Sequence, residues 1–202
     1  MIQHYIFDFG NVLCEFDPEK LTEPFVSNEE EKNAISEVVF DRIYWDELDK
    51  GTITDEEVKA KICSRIGDKL GYKACQVYDN WVRTITPIDE MIHLVYELHK
   101  NGKKIYLLSN ISIGFSKTYM EIDWIAKLFS CFDGLVFSGP VGIVKPSKEI
   151  FEYTINKFNI DPKKCLFVDD RTQNIEGAEA VGISGYLFDG NVQKLRKFLG
   201  LE

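Results

Sequence analysis

His4-Tyr5-Ile6-Phe7-Asp8-Phe9-Gly10-Asn11-Val12 is the stretch on which the fold turns. Tyr5, Ile6 and Phe7 form a short apolar run of residues that favour extended backbone, and it stops at a carboxylate. Glycine and asparagine follow at once, the residues a chain uses to turn sharply. In open α/β sheets, ligands collect beyond the carboxyl ends of such strands. Alone, the stretch reads as a strand ending in a turn aspartate. The rest of the chain gives that aspartate company.

After Pro87 the hydrophobic period alternates between strand and helix. An amphipathic helix is predicted over 88–100 and stopped by Asn101-Gly102. A strand over 103–108 runs into Ser109-Asn110, and a polar helical stretch follows over 113–129. A short strand covers 134–137, and Pro146 sits near the start of a helix reaching 158. The strand over 164–168 ends in Asp169-Asp170. A helix over 173–181, a strand over 184–188 and a helix over 191–199 complete the pattern. Strands alternating with helices imply a parallel sheet with right-handed crossovers.

Residues 15–85 are different, because they read as helix almost throughout. Thr52-Ile53-Thr54-Asp55-Glu56-Glu57 is a helix start with a threonine cap and acids in the first turn, and Val58, Ile62 and Ile66 then share one face. Further helices are expected over 33–40, 41–48 and 72–84, with breaks at Gly51 and across 67–71. The α/β unit is therefore interrupted after its first strand by a small helical bundle. The expected division is a core of 1–16 and 86–202 and a helical cap of 17–85.

The 202 residues carry a net charge of −9, and no lysine-arginine patch appears. That argues against nucleic acid or an anionic membrane as the main partner. An acidic protein that handles phosphate needs a local cation, a lysine or a metal. The first residues lack the layout of a secretion signal, and no run is long enough to span a bilayer. Five scattered cysteines with no CxxC pair read as reduced thiols, so a cytoplasmic protein is expected.

Four polar clusters stand at strand ends or helix starts: Asp8, Ser109-Asn110, Lys145-Pro146 and Asp169-Asp170. Each has a plain structural reading as a cap, a turn or a solvated loop. Together they form a kit for phosphoryl transfer: a carboxylate nucleophile, donors for phosphate oxygens, a fixed cation, and acids that hold magnesium. In these motifs the chain resembles the haloacid dehalogenase superfamily of phosphatases. The carriers are Ile6-Phe7-Asp8-Phe9-Gly10-Asn11-Val12-Leu13, Leu107-Leu108-Ser109-Asn110, Val144-Lys145-Pro146-Ser147 and Phe167-Val168-Asp169-Asp170-Arg171-Thr172-Gln173-Asn174. The helical insert sits where that family places its first-type cap. Within the family, the layout is similar to bacterial phosphatases of α-glucose 1-phosphate.

The resemblance implies an α/β fold with a Rossmann-like parallel sheet, helices on both faces, and an inserted helical cap. It implies a magnesium-dependent phosphatase acting on a small phosphorylated metabolite, a sugar phosphate by preference. Asp8 is the implied nucleophile, forming an aspartyl-phosphate. Magnesium is the implied cofactor, held by Asp8, the Gly10 carbonyl and Asp170, with Asp169 and Asn174 in support. Ser109 and the Asn110 amide are expected to hold phosphate oxygens, and Lys145 to balance charge.

One position departs from the family pattern. Most such phosphatases carry a second aspartate two residues after the nucleophile, as general acid and base, where this chain has Gly10. The preferred explanation is a leaving group that needs little protonation, as in an anomeric sugar phosphate. Substitution by Glu15, Asp17 or a cap residue, and slow turnover, remain as alternatives. Arg42, Tyr44, Trp45, Trp81 and Arg83 are the cap residues expected to choose the substrate. Two rival functions stay open: a metal-independent 2-haloacid dehalogenase, and a weakly active domain that binds a phosphorylated ligand or protein.

Overall fold

The computed structural model describes residues 2–201. Five parallel strands form the main sheet: β1 (His4–Phe7), β4 (Lys104–Ser109), β5 (Gly134–Phe137), β6 (Cys165–Asp169) and β7 (Ser184–Leu187), in the spatial order β5-β4-β1-β6-β7. The first strand of the chain thus lies at the centre. Its register sets Phe7 level with Leu107 and Val168, so Asp8 and Asp169 leave the same edge side by side.

Alternation along the strands divides the core in two. Tyr5, Phe7, Ile105, Leu107, Leu166 and Val168 face one side. There α6 (Asp89–Lys100), α8 (Asp123–Phe129) and α12 (Val192–Leu199) cover them with Leu94, Leu98, Leu128 and Leu195. Ile6, Tyr106, Leu108 and Phe167 face the other, under Ile150 and Phe151 of α10 (Lys148–Phe158) and Ile175 and Ala178 of α11 (Thr172–Glu179). Burial on both faces explains why these strands read as continuous apolar runs.

Between two short strands, β2 (Cys14–Glu15) and β3 (Thr86–Pro87), which pair antiparallel, lie five helices: α1 (Pro18–Thr22), α2 (Glu29–Val39), α3 (Arg42–Asp49), α4 (Asp55–Ile66) and α5 (Asp68–Thr84). They bury a core of their own, including Ile35, Val39, Leu48, Val58, Ile62 and Val77. Thr54 and Glu57 form a reciprocal capping box at the start of α4, satisfying two helix-end amides. Gly67 alone supplies the break between α4 and α5, through its positive φ of 79°. Gly71, expected to share that break, lies inside α5, where tertiary packing overrides its low helix propensity. The helical stretch at 113–129 is likewise two helices, α7 (Ile113–Thr118) and α8, separated by a 3-10 turn. A single-turn α-helix, α9 (Ser138–Val141), follows β5. Among the described residues no helix is long and apolar enough to cross a membrane.

Candidate active site

Asp8 lies one residue beyond β1 and is 8% exposed. Its Oδ1 accepts from the Phe9 amide at 2.7 Å and lies 2.9 Å from Lys145 Nζ. Its Oδ2 takes no hydrogen bond from the described residues and is left for chemistry. Lys145 is itself buried and also meets Asp169 Oδ2 at 2.7 Å. Burial alone would favour the neutral amine, but Asp8 and Asp169 outweigh it and hold Lys145 above its ordinary pKa. Burial pushes the Asp8 carboxyl up to about 6, against the pull of Lys145 and with Asp169 adding to the rise.

Both oxygens of Asp169 are taken. The Arg171 amide donates to Oδ1 at 2.9 Å, and Asn174 Nδ2 lies 2.9 and 3.0 Å from the two oxygens. Asp169 therefore orients Lys145, and Asn174 orients Asp169. The Lys145 loop is pinned from the other side by Asn110. The Asn110 amide donates to the Lys145 carbonyl at 2.9 Å, and its Oδ1 accepts from the Lys145 amide at 2.8 Å. The Lys145-Pro146 bond is cis. The Asn110 side chain is thus committed to the loop, while its backbone amide and the buried Ser109 hydroxyl have no partner among the described residues and border the cavity.

One oxygen from each of Asp8, Asp169 and Asp170 lies within 4.8 Å of the others. An all-oxygen, anionic set suits magnesium. With Asp169 occupied, the available donors are Asp8, Asp170 and the Gly10 carbonyl, which accepts no hydrogen bond from the described residues. The group fits the metal. Burial and the neighbouring Asp169 also lift the Asp170 carboxyl above its ordinary pKa, a bias that a bound cation reverses. Asn11, in the left-handed region at φ 56°, donates to Asp170 Oδ2 at 3.2 Å and accepts from the Phe16 amide at 3.1 Å. It ties the turn after β1 to the turn after β6.

These groups floor a cavity of about 140 Å³ whose upper wall comes from the helical block: Arg42, Trp45, Asp49 and Trp81. Phe16, Trp45, Trp81 and Phe115 form a chain of aromatic contacts across the join between the two parts. Of the cap residues expected to choose the substrate, Arg42, Trp45 and Trp81 are here and two are not. Tyr44 is buried in the helical block's own core beside Arg65, and Arg83 pairs with Glu121 at the surface. Glu15 and Asp17 lie outside this cavity as well. Glu15 pairs with Lys20, and Asp17 caps α1 through the Glu19 and Lys20 amides. Sequence reasoning missed Asp49, which reads as one acid of a charged helix end in Asp46-Glu47-Leu48-Asp49-Lys50; only the fold shows that it is 6% exposed.

A sesquiterpene phosphatase of Aspergillus oryzae is 25% identical over 96% of this chain and 95% of its own length. A D-ribitol-5-phosphate phosphatase of Bacteroides thetaiotaomicron is 24% identical over 92% of this chain and 91% of its own. Among solved structures, a haloacid dehalogenase family enzyme of Bacteroides thetaiotaomicron in complex with magnesium superposes with a TM-score of 0.75, at 26% identity and covering 94% of each chain. An L-2-haloacid dehalogenase of Xanthobacter autotrophicus shares the fold with a TM-score of 0.68, at 17% identity over 99% of this chain and 83% of its own. Residues 2–182 match the haloacid dehalogenase-like hydrolase family, and the chain belongs to it.

Proposed function

We propose that this hydrolase is a magnesium-dependent phosphatase of a small phosphorylated metabolite, a sugar phosphate by preference, acting through an aspartyl-phosphate on Asp8. The observation that carries the reading is the Asp8 carboxylate. It is buried at the cavity floor with one oxygen fixed by Phe9 and Lys145 and the other free, beside Asp170, with which it can take a divalent cation. Phosphoryl transfer asks for positioning and charge neutralisation more than for covalent ingenuity. Asp8 Oδ2 is placed to attack phosphorus. Ser109 and the Asn110 amide offer donors to the equatorial oxygens, and Lys145 balances charge between nucleophile and phosphoryl group. Asp8, Gly10 and Asp170 would hold magnesium, which when bound neutralises charge on the phosphoryl oxygens.

The helical block of 17–85 acts in this reading as the cap, its aromatic faces suiting the C–H faces of a sugar and Arg42 a polar substituent. Reduced cysteines suit a cytoplasmic enzyme. The dehalogenase alternative keeps Gly10 in its favour. Against it stands Asp170, because a metal-free site for an anionic substrate gains nothing from an acid beside Asp169.

The test is phosphate and halide release from a panel of sugar phosphates, alkyl phosphates and 2-haloacids, with magnesium and with EDTA. Magnesium-dependent phosphate release is expected, falling by about 10⁴ or more in Asp8→Asn, which removes the nucleophile. Halide release unaffected by EDTA, or no phosphate release from folded protein, overturns the reading.

A further inference from the structure

Gly10 leaves the site without the proton donor and acceptor that alkyl leaving groups need, yet the cavity contains a carboxylate that the mechanism above does not use. Asp49 ends α3 in the cap, 6% exposed, and borders the same cavity as Asp8, Ser109 and Lys145. Its side-chain oxygens accept no hydrogen bond and pair with no cation among the described residues. Arg42, two turns earlier, pairs instead with Asp46.

The backbone around Asp49 is held in place. Ser138 of the core, wholly buried, accepts from the Ile111 amide at 2.9 Å and donates to the Asp49 carbonyl at 2.6 Å. Two residues on, Gly51 packs so tightly that a Cβ there would come within 2.4 Å of the Gly139 carbonyl oxygen, and its φ is +67°. The core thus fixes the position of Asp49 through its main chain and leaves the carboxyl facing the cavity, where its oxygens remain reachable by water or a ligand.

We infer that Asp49, delivered by the cap, is the general acid and base of this reaction, in place of the aspartate absent at Gly10. This rests on the phosphatase reading. In the first step Asp8 Oδ2 bonds to phosphorus, the bond to the leaving oxygen breaks, and that oxygen takes the Asp49 proton. In the second, the Asp49 carboxylate takes a proton from water as the water oxygen attacks phosphorus. The bond to Asp8 breaks, releasing inorganic phosphate and restoring both acids. Burial pushes the Asp49 carboxyl up to about 7, with Asp46 and Asp8 adding to the rise and Arg42 and Lys145 opposing it, so both protonation states are accessible near neutrality. With this donor the leaving group need not be an unusually acidic alcohol.

Asp49→Asn keeps the size and the main-chain bond to Ser138, and removes only the proton. On an alkyl phosphate such as glycerol phosphate, the single-turnover rate is expected to fall by about 10² to 10⁴. On p-nitrophenyl phosphate, whose leaving group needs no proton, the first step should survive. Asp49→Asn should then give a rapid burst near one nitrophenolate per enzyme followed by slow turnover, as aspartyl-phosphate accumulates, and Asp49→Glu should recover part of both steps. An equal loss on the two substrates, or a rise in KM with kcat kept, would overturn the inference in favour of substrate binding. If the unaltered protein releases no phosphate, it is the phosphatase reading that fails instead.

Discussion

The floor and the roof of the cavity treat buried acids in opposite ways. On the floor, Asp8 and Asp169 share Lys145, and Asp169 has three further hydrogen bonds from Arg171 and Asn174. On the roof, Asp49 has neither a paired cation nor a hydrogen-bond donor among the described residues. Buried charge is tolerated when paired and hydrogen-bonded, and it is costly otherwise. The floor is therefore a rigid charge cluster whose parts stabilise one another. The roof holds an acid whose isolation keeps its proton transferable. Substitutions in the two places should change stability with opposite signs.

The largest effect is expected at Lys145. Lys145→Met removes the one cation between two buried carboxylates and leaves both uncompensated. Breaking a buried pair from one side costs about 3–5 kcal/mol, so urea unfolding at neutral pH in EDTA should show a loss of that size. Phosphate release should vanish with it. Unchanged stability would mean that the pairs at 2.9 and 2.7 Å are not tight in solution.

Asp49 breaks the comparison in the other direction. Unfolded, its carboxyl titrates in the ordinary aspartate range, but folded it titrates at about 7. The unfolded chain therefore gives up the proton first, and the folded state loses stability as pH rises between those values. Arg42, Asp46 and Lys50 around the end of α3, Asp8 and Lys145 on the floor, and Asp170 and Arg171 after β6 are the charged groups lining the cavities it borders. Asp49→Asn should leave the melting temperature unchanged near pH 4 and raise it at pH 8. The gain should be on the order of 1–4 kcal/mol, at the expense of activity. A variant less stable than the parent at pH 8 would show that the carboxylate has a partner.

The floor was legible in the sequence because its parts follow from strand register. Asp8, Ser109 and Asp169 each close an apolar run, and parallel pairing of β1 with β4 and β6 brings those ends together. Lys145 and Asn174 could be placed only through the family resemblance, since neither ends a strand. The roof was not legible. Helical periodicity locates α3 but not what its C-terminal end touches, and the Ser138–Asp49 bond spans 89 residues of sequence. The same limit hid the approach of Cys63 to Cys75, whose sulfurs lie 2.8 Å apart because α4 and α5 pack against each other. Arg42 and Trp45 were expected at the substrate and Tyr44 with them. One helix turn cannot aim all three the same way, and packing sent Tyr44 to the core of the helical block.

The smallest expected effect tests how far the floor's rigidity depends on its outermost member. Asn174 is 2% exposed, and its side-chain hydrogen bonds among the described residues go to Asp169, not to Asp8 or Lys145. In Asn174→Ala, Asp169 keeps the Arg171 amide on Oδ1 and Lys145 on Oδ2, so the carboxylate stays compensated. The loss should be about 1–2 kcal/mol in urea unfolding, the cost of one buried donor to a charged group. Release of Lys145 from a fixed geometry should lower kcat by roughly tenfold, with KM little changed. Asn174→Asp separates positioning from packing, because it keeps the shape but replaces a donor by a third acid against Asp169. It should be worse than alanine in both measurements, and worse at pH 8 than at pH 5. If aspartate proves milder than alanine, Asn174 serves mainly to fill space, and Asp169 is held by Lys145 and Arg171 alone.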